Sequence, residues 1–579
     1  MRAFTMVIAV GLIVSARAAD SAELVKGWKF ALGDGPERAA TGFDDSGWKP
    51  IEAGKPWEQA GYPDYDGYAW YRIRVRVPAA WRNSEAYRVK RALLLSLGPI
   101  DDCDQTFFNG ELVGGTGRMP PEYASAYNVP RRYEIAESQV NWDGDNVIAV
   151  RVYDGGGAGG LVGGPLALRA PAASDYIELA FGLGSGDGSF PAGKPMEISV
   201  ELRNSYVKAV GGRLAVRVTT DDGKPVRDFA GELKVLRGGK GKKAFSFDPP
   251  APGIYRVSAS LALGGGLEPV EKSMNLGYAI TAIDDPLTRQ PDFLDFWERT
   301  LKELAAVPPQ YKVTKSGKDS TAEVDVFLVE MRSLGNARVR GWLSVPRKGG
   351  PFPAVLMVPG HSANQTPFVW FTDMIVFSFN IRGHGNSQDD VNPGFPGYLT
   401  YGLESPDTFI YRGAYADCVR AVDYLASRPD VDPRRIGVEG GSQGGALTFA
   451  TAALDRRVAL AAPDVPFLSD FEKYVDLSEW LGNEWRGFAR DKRMTFPDVL
   501  RVLSYFDIKN FAPLITCPLF MGAGLQDPTC PPRINFAAYN QVTSKKDYRL
   551  YPFGDHGGGG DVHWKLKHEW MRRQFGLAQ

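Results

Sequence analysis

Hydrophobic and polar positions follow two different rhythms along this chain, and the change falls near residue 280. Before it, apolar and polar residues alternate with period two in short runs. Trp70-Tyr71-Arg72-Ile73-Arg74-Val75-Arg76-Val77 alternates large apolar residues with arginine, as a half-buried antiparallel strand does. Ala92-Leu93-Leu94-Leu95-Ser96-Leu97 and Asn146-Val147-Ile148-Ala149-Val150-Arg151 read the same way, separated by turn clusters such as Asp44-Asp45-Ser46-Gly47 and Asn109-Gly110. A β-sandwich over 19–172 is expected. A second block, 173–278, repeats the pattern in Met196-Glu197-Ile198-Ser199-Val200, Arg213-Leu214-Ala215-Val216 and Gly253-Ile254-Tyr255-Arg256-Val257. Seven or so short strands in that length fit an immunoglobulin-like sandwich.

From about 279 to 579 the period lengthens. Residues 291–304 look helical, and apolar strands then alternate with helical stretches: 354–358, 375–381, 435–439, 518–522 and 548–551. Between the second and third of these a helix carries Tyr415, Cys418, Val419, Val422 and Leu425 on one face. Alternating β and α predicts a mostly parallel sheet covered on both sides, with its ligand at the carboxyl ends of the strands.

Composition adds compartment and chemistry. The 579 residues are 44% hydrophobic and 23% charged, as in ordinary globular proteins. Gly (66) and Pro (41) together exceed the usual share of about 12% and belong to the turn-dense first half. Arg2, the apolar run 6–14 and Ala16-Arg17-Ala18 predict a cleaved leader, residues 1–18, and hence a secreted or periplasmic chain. No later run reaches the length of a membrane anchor. The mature chain keeps 65 basic and 68 acidic residues, a near-neutral balance that argues against nucleic acid as partner. Four cysteines without repeating spacing make no disulfide framework, and Cys103, Cys418 and Cys517 are expected to be buried. All five histidines lie beyond residue 360.

The chemistry centres on Gly440-Gly441-Ser442-Gln443-Gly444-Gly445, directly after the 435–439 strand and before a helical run. This is G-x-S-x-G in a strand-turn-helix setting, which presents Ser442 as a nucleophile in an α/β-hydrolase domain. The glycines are expected to let the backbone make the strained elbow. In that fold the order is Ser, acid, His. Asp527 follows the 518–522 strand and His556 follows the 548–551 strand, so both fall at the expected places. Asp555 and Asp464 are rival acids, whereas His563 and His568 belong to the closing helix. The oxyanion donors are expected to be the backbone N–H groups of Gln443 and of His361 or Ser362, in Val358-Pro359-Gly360-His361-Ser362. The His361 side chain is expected to line the pocket. Neither zinc-ligand spacing nor a phosphate loop occurs, so metal-free acyl transfer without a cofactor is expected.

Several long motifs carry a resemblance: Arg382-Gly383-His384-Gly385-Asn386-Ser387, Tyr411-Arg412-Gly413-Ala414-Tyr415-Ala416-Asp417, the 440–445 elbow, Tyr505-Phe506-Asp507-Ile508 and Gly524-Leu525-Gln526-Asp527-Pro528-Thr529-Cys530-Pro531-Pro532. The last 300 residues resemble the acetyl xylan esterase/cephalosporin C deacetylase family, carbohydrate esterase family seven. The resemblance implies removal of acetyl groups from acetylated sugars, with Ser442, Asp527 and His556 as triad, and with Gln443 and His361 at the oxyanion. Two positions depart from the family pattern: its RGQ reads Arg382-Gly383-His384, and its His-Glu reads His556-Gly557. Family members form closed rings of single-domain subunits. The 280 residues of β-structure in front weigh against carrying that ring over, and an oligomer stays open.

The first block resembles the galactose-binding-like jelly-roll domain of family-two glycosidases and sialate acetylesterases, on Phe43-Asp44-Asp45-Ser46, Tyr65-Asp66-Gly67-Tyr68-Ala69-Trp70 and Phe108-Asn109-Gly110. Sugar contact through exposed Trp57, Tyr62, Tyr65 or Tyr68 is one expectation for it. Two rival functions are a prolyl oligopeptidase-type peptidase and a carbohydrate-binding protein with an inactive hydrolase domain. The first needs propeller blades at regular spacing, which 260 non-repeating β residues do not supply.

Overall fold

The computed structural model describes residues 21–63, 65–263, 269–395 and 397–577. The expected leader, 1–18, lies outside them. Among the described residues no helix is long and apolar enough to cross a membrane.

Two β-rich regions precede an α/β region. In the first, a six-stranded sheet (Lys49–Ile51, Trp28–Leu32, Gly67–Arg76, Asp145–Asp154, Cys103–Phe108, Glu111–Thr116) faces a five-stranded one built on Ala92–Asp101. Trp28, Phe30 and Tyr71 from one sheet and Leu93, Leu95 and Leu168 from the other share a single core. The alternation in Gly67–Arg76 leaves Arg74 and Arg76 exposed but not Arg72. Arg72 is buried, because the 36–48 segment folds over that face: Nε reaches the Asp45 carboxylate at 3.1 Å, and Nη2 donates to the Ala40 carbonyl at 3.1 Å. The second region pairs a three-stranded sheet (Ile177–Leu183, Met196–Asn204, Lys240–Phe247) with a five-stranded one, again about one core.

The α/β region holds a nine-stranded sheet. Its strands in chain order are β1 (Lys312–Ser316), β2 (Val324–Arg332), β3 (Arg338–Pro346), β4 (Phe352–Met357), β5 (Ile375–Asn380), β6 (Val431–Gly441), β7 (Val458–Asp464), β8 (Leu519–Gly524) and β9 (Lys546–Tyr551). The spatial order is β1-β2-β3-β5-β4-β6-β7-β8-β9. The first three join antiparallel, and β5 onward is parallel. Strand β5 is buried at all six positions, as a central parallel strand covered on both faces must be. Ala354 and Leu356 of β4 enter the core on one face, and Val355 enters the core beneath the closing helix Gly560–Phe575 on the other. Strands β1 to β3, and the helices Phe471–Leu477, Glu479–Asp491 and Phe496–Leu503 between β7 and β8, were not foreseen from the hydrophobic pattern.

The closing helix docks on charge as well as on apolar surface. Lys567 Nζ lies 2.6 Å from Asp464 and 2.9 Å from Glu439. His563 meets Asp464 at 2.7 Å, and His568 meets Glu439 at 3.0 Å. Burial works to raise the pKa of Glu439, but the Lys567 ammonium and His568 hold it well below the usual carboxylate range. The same balance, led by burial and reversed by Lys567 and His563, lowers Asp464. A carboxylate depressed in the folded state contributes stability above its unfolded pKa, and that stability is lost as pH falls. In Lys567→Met buried Glu439 and half-buried Asp464 lose their cation and their pKa values rise, so the sign reverses. The variant is expected to lose about 3–5 kcal/mol at pH 7, and the deficit should shrink towards pH 4 as the carboxyls take up protons. Urea unfolding of both proteins at the two pH values checks this, and an equal deficit at both contradicts it.

Candidate active site

Strand β6 ends at Gly441 and the elbow helix Gln443–Leu454 begins one residue after Ser442. Ser442 stands between them at φ 58°, ψ −119°, a conformation that costs a non-glycine residue about 1–3 kcal/mol. Three hydrogen bonds hold it there: Ser442 N–H to the Asp464 carbonyl at 2.9 Å, and the N–H groups of Phe467 (3.0 Å) and Ala446 (3.1 Å) to the Ser442 carbonyl. The neighbouring glycines keep ordinary φ and serve a different need. A Cβ on Gly440 would stand 2.8 Å from the Val358 carbonyl oxygen, on Gly444 2.6 Å from the same atom, and on Gly445 2.7 Å from the Asp464 carbonyl oxygen. The glycines let the elbow form by making room for it, while Ser442 itself carries the strain. At the helix start the Gln443 N–H has no intrahelical acceptor and points out of the positive end of the helix.

Asp527 follows β8 and is buried. Its Oδ1 accepts from the N–H groups of Thr529 (2.8 Å) and Cys530 (2.9 Å), and its Oδ2 lies 2.9 Å from His556 Nδ1. That contact places the imidazole proton on Nδ1 and leaves Nε2 as an acceptor. The Cys530 thiol stands 3.9 Å from Ser442 Oγ, and its sulfur, an Asp527 oxygen and a His556 nitrogen all lie within 4.8 Å of one another. Through Cys530, Ser442 adjoins the Asp527–His556 pair. Burial, then Asp527, pushes the Cys530 thiol well above its ordinary pKa. A neutral thiol beside an acid and an imidazole that face each other is a poor donor set for a metal, which needs a thiolate and free lone pairs.

The rival acids are engaged elsewhere. Asp555 accepts from the Gly557 N–H at 3.0 Å and from the Asn128 side-chain amide. Asp464 faces His563 and Lys567.

On the expected oxyanion side, the Gly360 backbone lies against the elbow: a Cβ there would be 3.6 Å from the Gly441 carbonyl oxygen. The Gln443 side chain, which sequence reasoning left without a role, joins the two segments. Buried, it accepts from the Tyr411 hydroxyl at 2.6 Å, and its amide nitrogen lies 3.4 Å from the carbonyls of Pro359 and Gly360 and 2.9 Å from His384 Nε2. His384 thus accepts from Gln443. Burial first, then neighbouring His361, pushes its pKa down to about 3, so the ring is neutral. Arg382, paired twice with Asp417 at 2.9 and 2.7 Å, holds the turn that carries it. The His361 ring is half-buried, edge-on to Phe395 at 4.7 Å, and burial lowers its pKa.

Around the mouth, Trp480 is 44% exposed and stacks at 12° on Phe467, whose N–H holds the Ser442 carbonyl. A cleft of about 740 Å³ runs from the 526–533 loop to the second β region, lined by Asp527, Arg533, Asp221, Arg256 and Phe553 among others. Gln526 bridges its floor: the Asn275 N–H donates to Gln526 Oε1 at 2.8 Å, and Gln526 Nε2 donates to the Asn275 carbonyl at 2.9 Å. Of the aromatic residues expected to meet sugar in the first β region, Trp57 is fully buried and donates to the Tyr65 carbonyl at 3.2 Å. Tyr62, Tyr65 and Tyr68 are half-buried: the first two pack on the core, and Tyr68 lies tilted against Tyr153 at 4.8 Å.

Residues 285–574 match the acetyl xylan esterase (AXE1) family. The acetyl esterase Axe7A of Xylanibacter ruminicola is 32% identical over 304 residues, covering 50% of this chain and 68% of that protein. Among solved structures, acetyl xylan esterase 1 from Thermoanaerobacterium sp. is 28% identical over 51% of this chain and 98% of its own, at a TM-score of 0.47. The acetyl xylan esterase from Paenibacillus sp. R4 is 30% identical with the same coverage and TM-score. With the family matched over half its length, the chain belongs to the acetyl xylan esterases and is a carboxylic ester hydrolase.

Proposed function

We propose that this chain is a secreted serine esterase that removes O-acetyl groups from acetylated plant-type polysaccharides or oligosaccharides. We assign it a leader (1–18), a jelly-roll sandwich (19–172), an immunoglobulin-like sandwich (173–278) and an α/β-hydrolase domain (279–579). The observation that carries the reading is the Ser442, His556 and Asp527 cluster on three loops at the carboxyl edge of the sheet, with Asp527 hydrogen-bonded to His556 Nδ1.

In this reading Ser442 Oγ attacks the acetyl carbonyl carbon while His556 Nε2 takes the hydroxyl proton. Asp527 orients the ring and stabilises the imidazolium. The oxyanion accepts from the Gln443 and His361 N–H groups. Collapse breaks the bond to the sugar oxygen, which receives the proton from His556, and an acetyl ester remains on Ser442. Water, deprotonated by His556, then attacks that ester, releases acetate and restores the serine. Neutral His361, His384 and Cys530 leave the acyl pocket uncharged, as suits a small neutral acetyl group. Exposed Trp480 next to the elbow offers a flat apolar face to a sugar ring.

Ser442→Ala is expected to lower kcat by about 10³–10⁶ on both 4-nitrophenyl acetate and acetylated xylan. Initial-rate assays with circular dichroism as a folding control read this out, and turnover equal to wild type would sink the assignment. Gly444→Ala should push the elbow off the Val358 carbonyl, lower Tm by several degrees and reduce kcat by about ten- to a hundredfold. Differential scanning fluorimetry beside the same assay tests it, and an unchanged Tm with unchanged kcat would show that the close approach is not needed.

A further inference from the structure

The first β region reaches the loop that carries His556. Residues 117–129 leave the sheet between Glu111–Thr116 and Pro130–Ala136, and Arg131 pins them. Buried Arg131 pairs with Asp104 at 2.8 Å and donates to the carbonyls of Ala126 (2.7 Å), Val129 and Asp102 (3.0 Å). The loop held in this way presents Asn128, whose side-chain amide donates to the carboxylate of Asp555, the residue before His556.

Tyr127 stands next to that crossing point and is 44% exposed. Among the described residues its ring enters no aromatic pair and its hydroxyl makes no hydrogen bond. Burial, then the carboxyl groups of Asp555, Asp101, Asp527 and Asp102, raises the pKa of the phenol, so it stays neutral. Beside it, Tyr123 donates to Asp102 at 2.5 Å and stacks edge-on against Tyr153 at 5.4 Å.

An exposed aromatic face bordered by carboxyl groups suits a polyol ring, with C–H groups on the π face and hydroxyls turned to the oxygens. Direction favours the same ligand. In the proposed reaction the departing sugar oxygen takes its proton from His556, so the sugar lies on the His556 side of the site. Tyr127 immediately precedes Asn128, which holds the chain neighbour of His556.

We propose that Tyr127 forms a stacking wall of the subsite for the departing sugar, with Asp555 at its edge, so that the first β region selects sugar esters over simple acetate esters. The proposal rests on the reading of the site as a sugar O-acetyl esterase. Its test uses the full chain and compares kcat/KM on acetylated xylo-oligosaccharides with kcat/KM on 4-nitrophenyl acetate. Tyr127→Ala should lower the ratio of sugar ester to simple ester about three- to tenfold, chiefly through KM for the sugar ester. Tyr127→Phe keeps the ring, and Leu112→Ala alters an exposed residue elsewhere in the same β region. Both should hold the ratio within about twofold. A wild-type ratio in Tyr127→Ala overturns the proposal, as does an equal fall in Leu112→Ala or in Tyr127→Phe. Wild type that cleaves 4-nitrophenyl acetate but releases no acetate from any acetylated sugar would fail the underlying reading and this one with it.

Discussion

One carbonyl oxygen, that of Val358, sets how close the two halves of the site can come. It lies where a side chain on Gly440 or on Gly444 would have to be. The end of β4 therefore runs against the turn from β6 into its helix, with no side chain between them. The Gly360 backbone is brought against the same turn, where a Cβ on it would stand 3.6 Å from the Gly441 carbonyl oxygen. Buried Gln443 keeps the two segments in register, gripped by Tyr411 on one side and His384 on the other. The positive φ of Ser442 is the local cost of that closeness, and three backbone hydrogen bonds offset it.

Charge is arranged on two levels. Around Ser442 and Gln443, the groups His361, His384 and Cys530 are all pushed towards their neutral forms by burial. Under the closing helix, Lys567 is locked between Glu439 and Asp464. Glu439 lies in β6 just ahead of the elbow, and the Asp464 carbonyl receives the Ser442 N–H, so the cluster stiffens the platform from behind without placing net charge at the reacting atoms.

The site was legible in the sequence where its chemistry is local. The elbow is six consecutive residues, and Asp527 and His556 each follow a short apolar strand by a few positions, so pattern and order sufficed to place them. Contacts decided by distant partners were not legible. Arg72 sits in an alternating strand and reads as solvent-facing, yet Asp45, 27 positions away, and the segment around it bury it. Trp57 and Tyr65 look like a sugar platform in sequence, and only the closing of two sheets makes them core. Strand β1 is almost wholly exposed and carries no period-two signal, so nothing marked it. Tyr127 and Asn128 lie in a turn-like stretch whose importance comes from Asp555, 427 positions later than Asn128.

Gln526 and Asn275 join regions that lie 251 residues apart in the chain, and their two reciprocal hydrogen bonds end one peptide unit from Asp527. In the language of machines, the second β region is a bearing for the acid loop, seated where slack would be transmitted at once to the orientation of His556. The segment that matches the esterase family is for that reason smaller than the mechanical unit of this protein, which begins well before the first strand of its largest sheet.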